Sequence, residues 1–254
     1  MARPEVKRQE RKIDLSALLR PVRAGNAFEE TVERLLTIIK LGLVAPGERF
    51  PAERELAAQL GISRLTLREA ISELTKAGYV ESKRGRTGGT FVIYTRPAPD
   101  VSEIRRLAVE HGEGLTDALT FRFAVETGAA DMLAQHFAAC DAGEDCVKRK
   151  MLLARLADVT SAGLQDYRRL DTLFHLSVAE LTGSSLLSTA STDARMRLND
   201  LLNAIPVLKL NITHTAGQHA AIVGAILRGD PDQARTAVAE HLAGTGALLR
   251  GFLG

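Results

Sequence analysis

The stretch Phe50-Pro-Ala-Glu-Arg-Glu-Leu-Ala-Ala-Gln-Leu-Gly-Ile-Ser-Arg-Leu-Thr-Leu-Arg-Glu-Ala-Ile-Ser-Glu-Leu74 constrains the fold more than any other part of the chain. Two segments with helical apolar spacing flank a single glycine. Leu56, Ala57 and Leu60 form one inward stripe, and Leu67, Ala70, Ile71 and Leu74 form the other at i, i+3, i+4 and i+7. Gly61 supplies the turn. Pro51 suits the first turn of the leading helix, and Ser63 is placed to cap the second, which ends before Gly78.

The flanking sequence completes a small domain. Phe28, Val32, Leu35, Leu36 and Ile39 mark one face of an earlier amphipathic helix, and Pro46-Gly47 breaks the chain after it. Tyr79-Val-Glu-Ser-Lys83 alternates and Thr90-Phe-Val-Ile-Tyr94 is rich in β-formers, with the basic, glycine-rich Arg84-Gly-Arg-Thr-Gly-Gly89 between them. Three helices and a hairpin predict a winged helix-turn-helix. Phe91 and Tyr94 read as packing residues of the wing.

Arg96-Pro-Ala-Pro-Asp100 reads as a short, stiff linker. Beyond it the pattern is helical throughout, with candidates over 102–111, 115–139, 145–162, 165–181, 185–203, 214–228 and 231–250. Asp230-Pro231 is a helix start, with Asp as cap and Pro at the first helical position. The fold class is therefore mainly α: a basic arm over 1–26, the winged helix-turn-helix over 27–95, a linker over 96–102, and an all-α bundle of six to seven helices over 103–254.

The charge is unevenly distributed. Residues 1–95 carry 17 Lys and Arg against 12 Asp and Glu, and the remainder carries 16 against 19. A basic first third fits a polyanion at one end of the molecule. No run of about 18 apolar residues marks a membrane span. The charged N-terminus lacks a signal-peptide core, so the expected location is cytoplasmic. Cys140 and Cys146 fit no zinc-finger spacing.

Helix, glycine turn and helix is how a protein presents a helix to the DNA major groove. Arg64 and Arg68 lie four apart and point away from the apolar stripe, placed to grip guanine edges or phosphates. Ser63 and Thr66 can add polar contacts, and Leu65 can meet a thymine methyl. Arg54 can hold backbone phosphate, and Arg84, Gly85 and Arg86 at the wing tip suit a groove or backbone contact.

Pro51-x-Glu-Arg-Glu-Leu-Ala-x-x-Leu-Gly-Ile-Ser-Arg-x-x-x-Arg-Glu-Ala-Ile-x-x-Leu74, with Gly88-Gly-Thr-Phe-Val92, resembles the winged-helix domain of GntR-family bacterial transcription regulators. The resemblance covers about 27–93. It implies that Arg54, Arg64, Arg68 and Gly85 fall on DNA-contacting positions. Leu65 departs from the Thr usual there, which bears on base preference.

The second domain carries inward polar residues. Asp171 and His175 share a helix face with Phe174 and Val178; His219 shares one with Ile222, Val223 and Ile226; His241 shares one with Ala234, Val238 and Leu248. Each histidine alone is compatible with a hydrogen-bonded core residue. Four such groups buried together need partners, and a divalent cation (Zn, Ni, Mn or Fe) would accept all of them. Asp171-x3-His175, then His219 and His241 with Gly229-Asp230-x3-Ala234 between them, and Leu115-x-Asp-Ala-x-x-x-Arg122-x-x-x-Glu126, are similar to the all-helical effector domain of the FadR subfamily over about 103–250. That similarity implies metal ligation by the four residues.

Arg122 lies on an apolar stripe with Leu115, Ala118, Leu119, Val125 and Ala129, so it needs an anion. Glu126 one turn on can supply it, and the FadR-type resemblance implies instead an effector carboxylate. Arg195, Arg197 and Asn199 are further candidates to face the cavity, Arg197 and Asn199 being assigned with Arg122 to the effector. His136 and His214 read as surface or core residues.

The expected protein is a homodimeric regulator, most simply a repressor, on a palindromic double-stranded operator, controlled by a small carboxylate held at a metal. A metal-responsive regulator and a metalloenzyme acting on carboxylic acids are the competing expectations.

Overall fold

The computed structural model describes residues 27–85, 88–95, 101–139, 146–202, 205, 207 and 209–253. The arm over 1–26, Arg96–Asp100 of the linker, and Arg86 lie outside them. The chain divides into two compact units with the sequence boundary between Tyr94 and Thr95; the short segment Lys40–Gly42 groups with the second unit.

The first unit contains α1 (Ala27–Lys40), α2 (Glu53–Leu60), α3 (Arg64–Lys76), β1 (Val80–Lys83) and β2 (Gly89–Val92). The strands pair antiparallel, Val80 opposite Val92 and Lys83 opposite Gly89, and Arg49 adds an isolated bridge to Phe91. The core joins Leu35 and Ile38 of α1, Leu56 and Leu60 of α2, Leu67 and Leu74 of α3, and Val80 and Val92 of the wing. Tyr79 and Tyr94 stack at 4.9 Å where the wing leaves and returns.

Two local features follow from residue chemistry. Gly61 closes α2 in the left-handed region at φ 65°, its N–H reaching Ala57 and Ala58 carbonyls. A side chain there costs about 1–2 kcal/mol. Ser63 caps α3 by accepting the Thr66 N–H at 3.0 Å. Pro51, expected in the first turn of α2, instead precedes it, because Ala52 is extended at ψ 142°; buried Phe50 just before donates its N–H to Thr90 O at 2.9 Å.

The second unit contains α4 (Val101–Ala139), α5 (Cys146–Thr160), α6 (Tyr167–Leu181), α7 (Ser185–Leu202), α8 (Lys209–Arg228) and α9 (Pro231–Leu253). The two segments expected at 102–111 and 115–139 are one helix, so the bundle has six helices among the described residues. Gly112 and Gly114 each cost about 1 kcal/mol in a helix interior, too little to end a helix that other contacts hold. Val101 and Ser102, assigned to the linker from the sequence, belong to α4. Asp230 caps α9 as expected, Oδ1 accepting the Gln233 N–H at 3.0 Å.

The larger apolar core gathers Ala130, Leu133, Leu152, Phe174, Ala225, Ile226 and Ala234 from α4, α5, α6, α8 and α9. A second cluster packs Leu198 against Leu249 with Leu115 and Leu201. Among the described residues no helix is long and apolar enough to cross a membrane.

Candidate functional site

Two arrangements stand out, one in each unit. In the first, burial of Leu67, Ala70, Ile71 and Leu74 turns the opposite side of α3 outward. Arg64, Leu65 and Arg68 are exposed there, Leu65 at 68%, and Arg54 of α2 with Arg84 and Gly85 beyond β1 are exposed as well. Ser63 is exposed and Thr66 half-buried, their hydroxyls 2.8 Å apart, so each is partly committed to the cap. Glu53, which the sequence reading did not single out, receives the Arg68 Nε–H at 2.8 Å and lies 3.8 Å from Arg64 Nη2 through the same oxygen. Lys83 sits 4.8 Å over the Phe91 ring. Exposed guanidinium forks on a protruding helix offer bidentate donors to an anion or a base edge.

The second unit buries its polar groups together. Asp171 and His175 come from adjacent turns of α6, His219 from α8 and His241 from α9, and one ligand atom from each lies within 4.8 Å of all the others. His175 Nε2 and His241 Nε2 are 3.1 Å apart, His219 Nε2 lies 3.4 Å from Asp171 Oδ1, and His175 Nε2 lies 3.7 Å from that oxygen. Two ligands about 2.1 Å from a common ion stand roughly 3.0 Å apart at a right angle and roughly 3.4 Å apart at a tetrahedral angle. The observed spacings fall in or near that range, and the donor set suits a borderline divalent ion.

The outer partners orient the rings. Glu126 Oε2 lies 2.8 Å from His175 Nδ1 without hydrogen-bond alignment, and Gln218 Oε1 lies 3.2 Å from His241 Nδ1. Acceptors at both Nδ1 atoms favour the proton there and direct both Nε2 lone pairs inward. Both ring nitrogens of His219 lack a hydrogen-bond partner despite full burial. Burial pushes the His219 pKa down to about 3, against the pull of Asp171, and holds His241 well below the usual histidine range, reinforced by His175 and His219. Neutral imidazoles facing one another without protons are what a cation requires.

Charges of both signs surround this cluster. Arg122 Nε donates to Glu126 Oε1 at 2.8 Å, Arg195 Nη1 donates to Asp171 Oδ2 at 3.1 Å, and Arg195 Nε stands 3.2 Å from Glu126 Oε1 without hydrogen-bond alignment. Burial alone would raise both carboxyls. Arg122, His175 and Arg195 hold Glu126 well below its ordinary value, and Arg195 with His175 does the same for Asp171. Arg122 Nη1, Arg195 Nη2 and Ser191 Oγ are buried without a hydrogen-bond partner. A small cavity lined by Glu126, Ala129, Phe174, Val178, Ser191 and Ile222 adjoins His175, with room for about one water molecule.

Arg122 faces inward at 1% exposure and Asn199 is buried, its Nδ2 donating to Thr172 Oγ1 at 2.9 Å. Arg197 does not join them. It is exposed on α7, because two positions along a helix turn about 200° from Arg195, which is fully buried. Arg195, weighed equally with Arg197 from the sequence, is the α7 arginine at the cluster. Gln218 carried no sequence signal beyond standing next to His219. His136 is half-buried beside Lys148 and His214 is exposed, so neither joins the cluster.

Comparison with known proteins matches residues 28–92 to the bacterial regulatory proteins of the gntR family and residues 117–244 to the FCD domain. The chain is 30% identical over 228 residues to RmpR of Mycobacterium gastri, assigned by name to the HTH-type transcriptional regulators; the match covers 83% of this chain and 76% of that protein. It is 28% identical over 246 residues to the HTH-type transcriptional repressor NanR of Escherichia coli (strain K12), covering 92% and 88%. It is 27% identical over 242 residues to an E. coli (strain K12) protein assigned by name to regulation of the L-lactate dehydrogenase operon, covering 88% and 86%.

Proposed function

The chain belongs to the GntR family of bacterial regulatory proteins and carries an FCD domain, and on that premise we propose that its DNA binding is controlled by a small carboxylate bound at a metal site in the second unit. It is a DNA-binding transcription regulator, which sets the metalloenzyme expectation aside.

One observation carries the metal part of the proposal. The inward Nε2 lone pairs of His175 and His241 stand 3.1 Å apart in a fully buried site. Two lone pairs at that distance repel unless a cation, or a proton on one Nε2, lies between them, and the acceptor oxygens beside both Nδ1 atoms favour the tautomers that leave the Nε2 atoms bare. Asp171, His175, His219 and His241 are the residues that would hold the ion. When bound, the ion supplies positive charge and open coordination positions for an oxygen ligand.

The carboxylate part rests on the arginines. Arg122 and Arg195 are balanced in charge by Glu126 and Asp171, yet each keeps a buried donor without a partner. An orphaned buried donor costs about 1–3 kcal/mol, and an effector oxygen would recover that cost. Ser191 offers a further hydroxyl on the cavity beside His175; that cavity takes about one water molecule, so a carboxylate enters only if the side chains around it give way. The effector acts by binding DNA-competent and incompetent states with different affinity.

At the first unit, Arg64 and Arg68 enter the major groove with Leu65 and Thr66, Ser63 and Arg54 contact the backbone, and Arg84, Gly85 and Arg86 supply further DNA contacts. The working form is a homodimer on a palindromic operator, in the cytoplasm, where it acts as a repressor released by effector. The test is operator affinity of the full chain, metal-stripped and metal-loaded, across a panel of small mono- and dicarboxylates. The reading expects a carboxylate response only in the loaded protein. A response to metal alone would move the protein to the metal-responsive alternative. Carboxylate control unchanged after stripping would overturn the metal site's role.

A further inference from the structure

The first unit holds a contact that the DNA-docking surface alone does not explain. Glu53 opens α2 and is partly exposed beside two arginines that must meet a polyanion. A carboxylate in that position repels phosphate, so on affinity alone it is unfavourable. Its geometry offsets that cost. Oε2 accepts the Arg68 Nε–H at 2.8 Å, and the same oxygen stands 3.8 Å from Arg64 Nη2. Accepting at Nε leaves both terminal amino groups of Arg68 outside the contact, the pair that presents a bidentate fork to O6 and N7 of guanine. Arg64 and Arg68 also repel each other one turn apart, and a carboxylate between them reduces that repulsion.

We propose that Glu53 is a positioning residue for sequence reading: it fixes the Arg68 fork, and secondarily Arg64, before DNA arrives. Fixing a long side chain in its bound geometry removes an ordering cost that would otherwise weaken specific binding. Non-specific binding, which tracks charge, gains nothing from it. Glu53 therefore trades overall affinity for discrimination. The inference rests on the docking assignment of Arg68, and the two are separable by experiment.

The probe is the duplex that wild-type full-length chain selects from a randomised pool of about 30 base pairs, with a scrambled duplex of equal length as reference. Glu53→Ala is expected to weaken binding to the selected duplex about 5- to 20-fold, while binding to the scrambled duplex stays level or tightens up to about threefold. Glu53→Gln, which keeps an acceptor oxygen, is expected to recover most of the discrimination. In an Arg68→Ala background, Glu53→Ala is expected to cause at most the small further loss of discrimination carried through Arg64. The inference is overturned if Glu53→Ala tightens both duplexes equally, since the carboxylate is then only a repulsive charge. It is equally overturned if the loss persists undiminished without Arg68, which would leave a helix-terminus effect on folding. If Arg68→Ala itself leaves the selected duplex unaffected, the docking assignment fails first. Melting temperatures of the variants within a few degrees of wild type establish that all of them fold.

Discussion

His175 Nδ1 and Glu126 Oε2 face each other at 2.8 Å across α6 and α4, and with Nδ1 against that carboxylate it is Nε2 that His175 turns to the centre of the cluster. The same carboxylate takes Arg122 through its other oxygen. One residue therefore orients a candidate ligand and ties down a candidate effector contact.

Removing metal should destabilise the second unit. A ligand present at about a hundred times its dissociation constant stabilises the folded state by about 2.7 kcal/mol. That corresponds to a fall of roughly 5–10 °C in melting temperature on chelation, read by calorimetry on the full chain. His219→Ala should abolish the difference between stripped and loaded protein. A melting curve indifferent to chelator in the wild type would contradict the site.

The stripped protein should be acid-labile. His219 is depressed from 6.5 to about 3, so between those values the unfolded chain takes up a proton that the folded chain refuses. That contribution is fully present above about pH 6.5 and is lost as pH falls toward 3. The depressed carboxyls of Glu126 and Asp171 add losses below about pH 4.5 with the same sign. Melting in chelator should therefore fall continuously from pH 7 to 4, whereas a flat profile would mean the histidines are not buried neutral.

Arg195 should be sensitive to shape as well as charge. Arg195→Met leaves the carboxylates of Asp171 and Glu126 under-compensated in the interior, at a cost of about 3–5 kcal/mol. Arg195→Lys keeps the charge and loses the fork. It should fold and load metal, yet bind the carboxylate effector at least tenfold more weakly by titration calorimetry. Arg197→Ala on the exposed side should change neither stability nor effector binding measurably.

Loss of either exposed α3 arginine should weaken operator binding by about 1–3 kcal/mol. Arg64→Ala and Arg68→Ala are each expected to lower the dependence of affinity on salt by about one counterion if the lost contact is to phosphate. They should instead relax preference at one base pair if it is to guanine. Titrations at several salt concentrations, with wild-type and base-substituted duplexes, separate the two.

Much of the architecture was legible because short-range chemistry controls it. Gly61, Ser63 and Asp230 mark turns and caps whose requirements are met within a few residues, and the structure places all three as expected. The apolar stripe of α3 likewise told which arginines turn outward. The break expected between 111 and 115 is absent, because the penalty of the helical glycines Gly112 and Gly114 is small. Pro51 misled because Ala52 after it stays extended, at ψ 142°, and α2 starts at Glu53.

The sequence by itself determined the kinds of residue available: outward arginines on a capped helix, and one aspartate with three histidines on apolar faces of three helices. Periodicity settles the face on which a side chain lies, since that depends only on the turn per residue. Tertiary structure alone decided that α6, α8 and α9 bring those four groups within 4.8 Å of one another, that Arg195 and not Arg197 reaches them, and that Glu126 serves two partners at once. It also decided that Glu53 reaches across to Arg68. The approach of the four groups to one another, of Arg195 and Glu126 to them, and of Glu53 to Arg68 are distances between helices, fixed by how whole apolar faces pack, and no spacing along one helix encodes them.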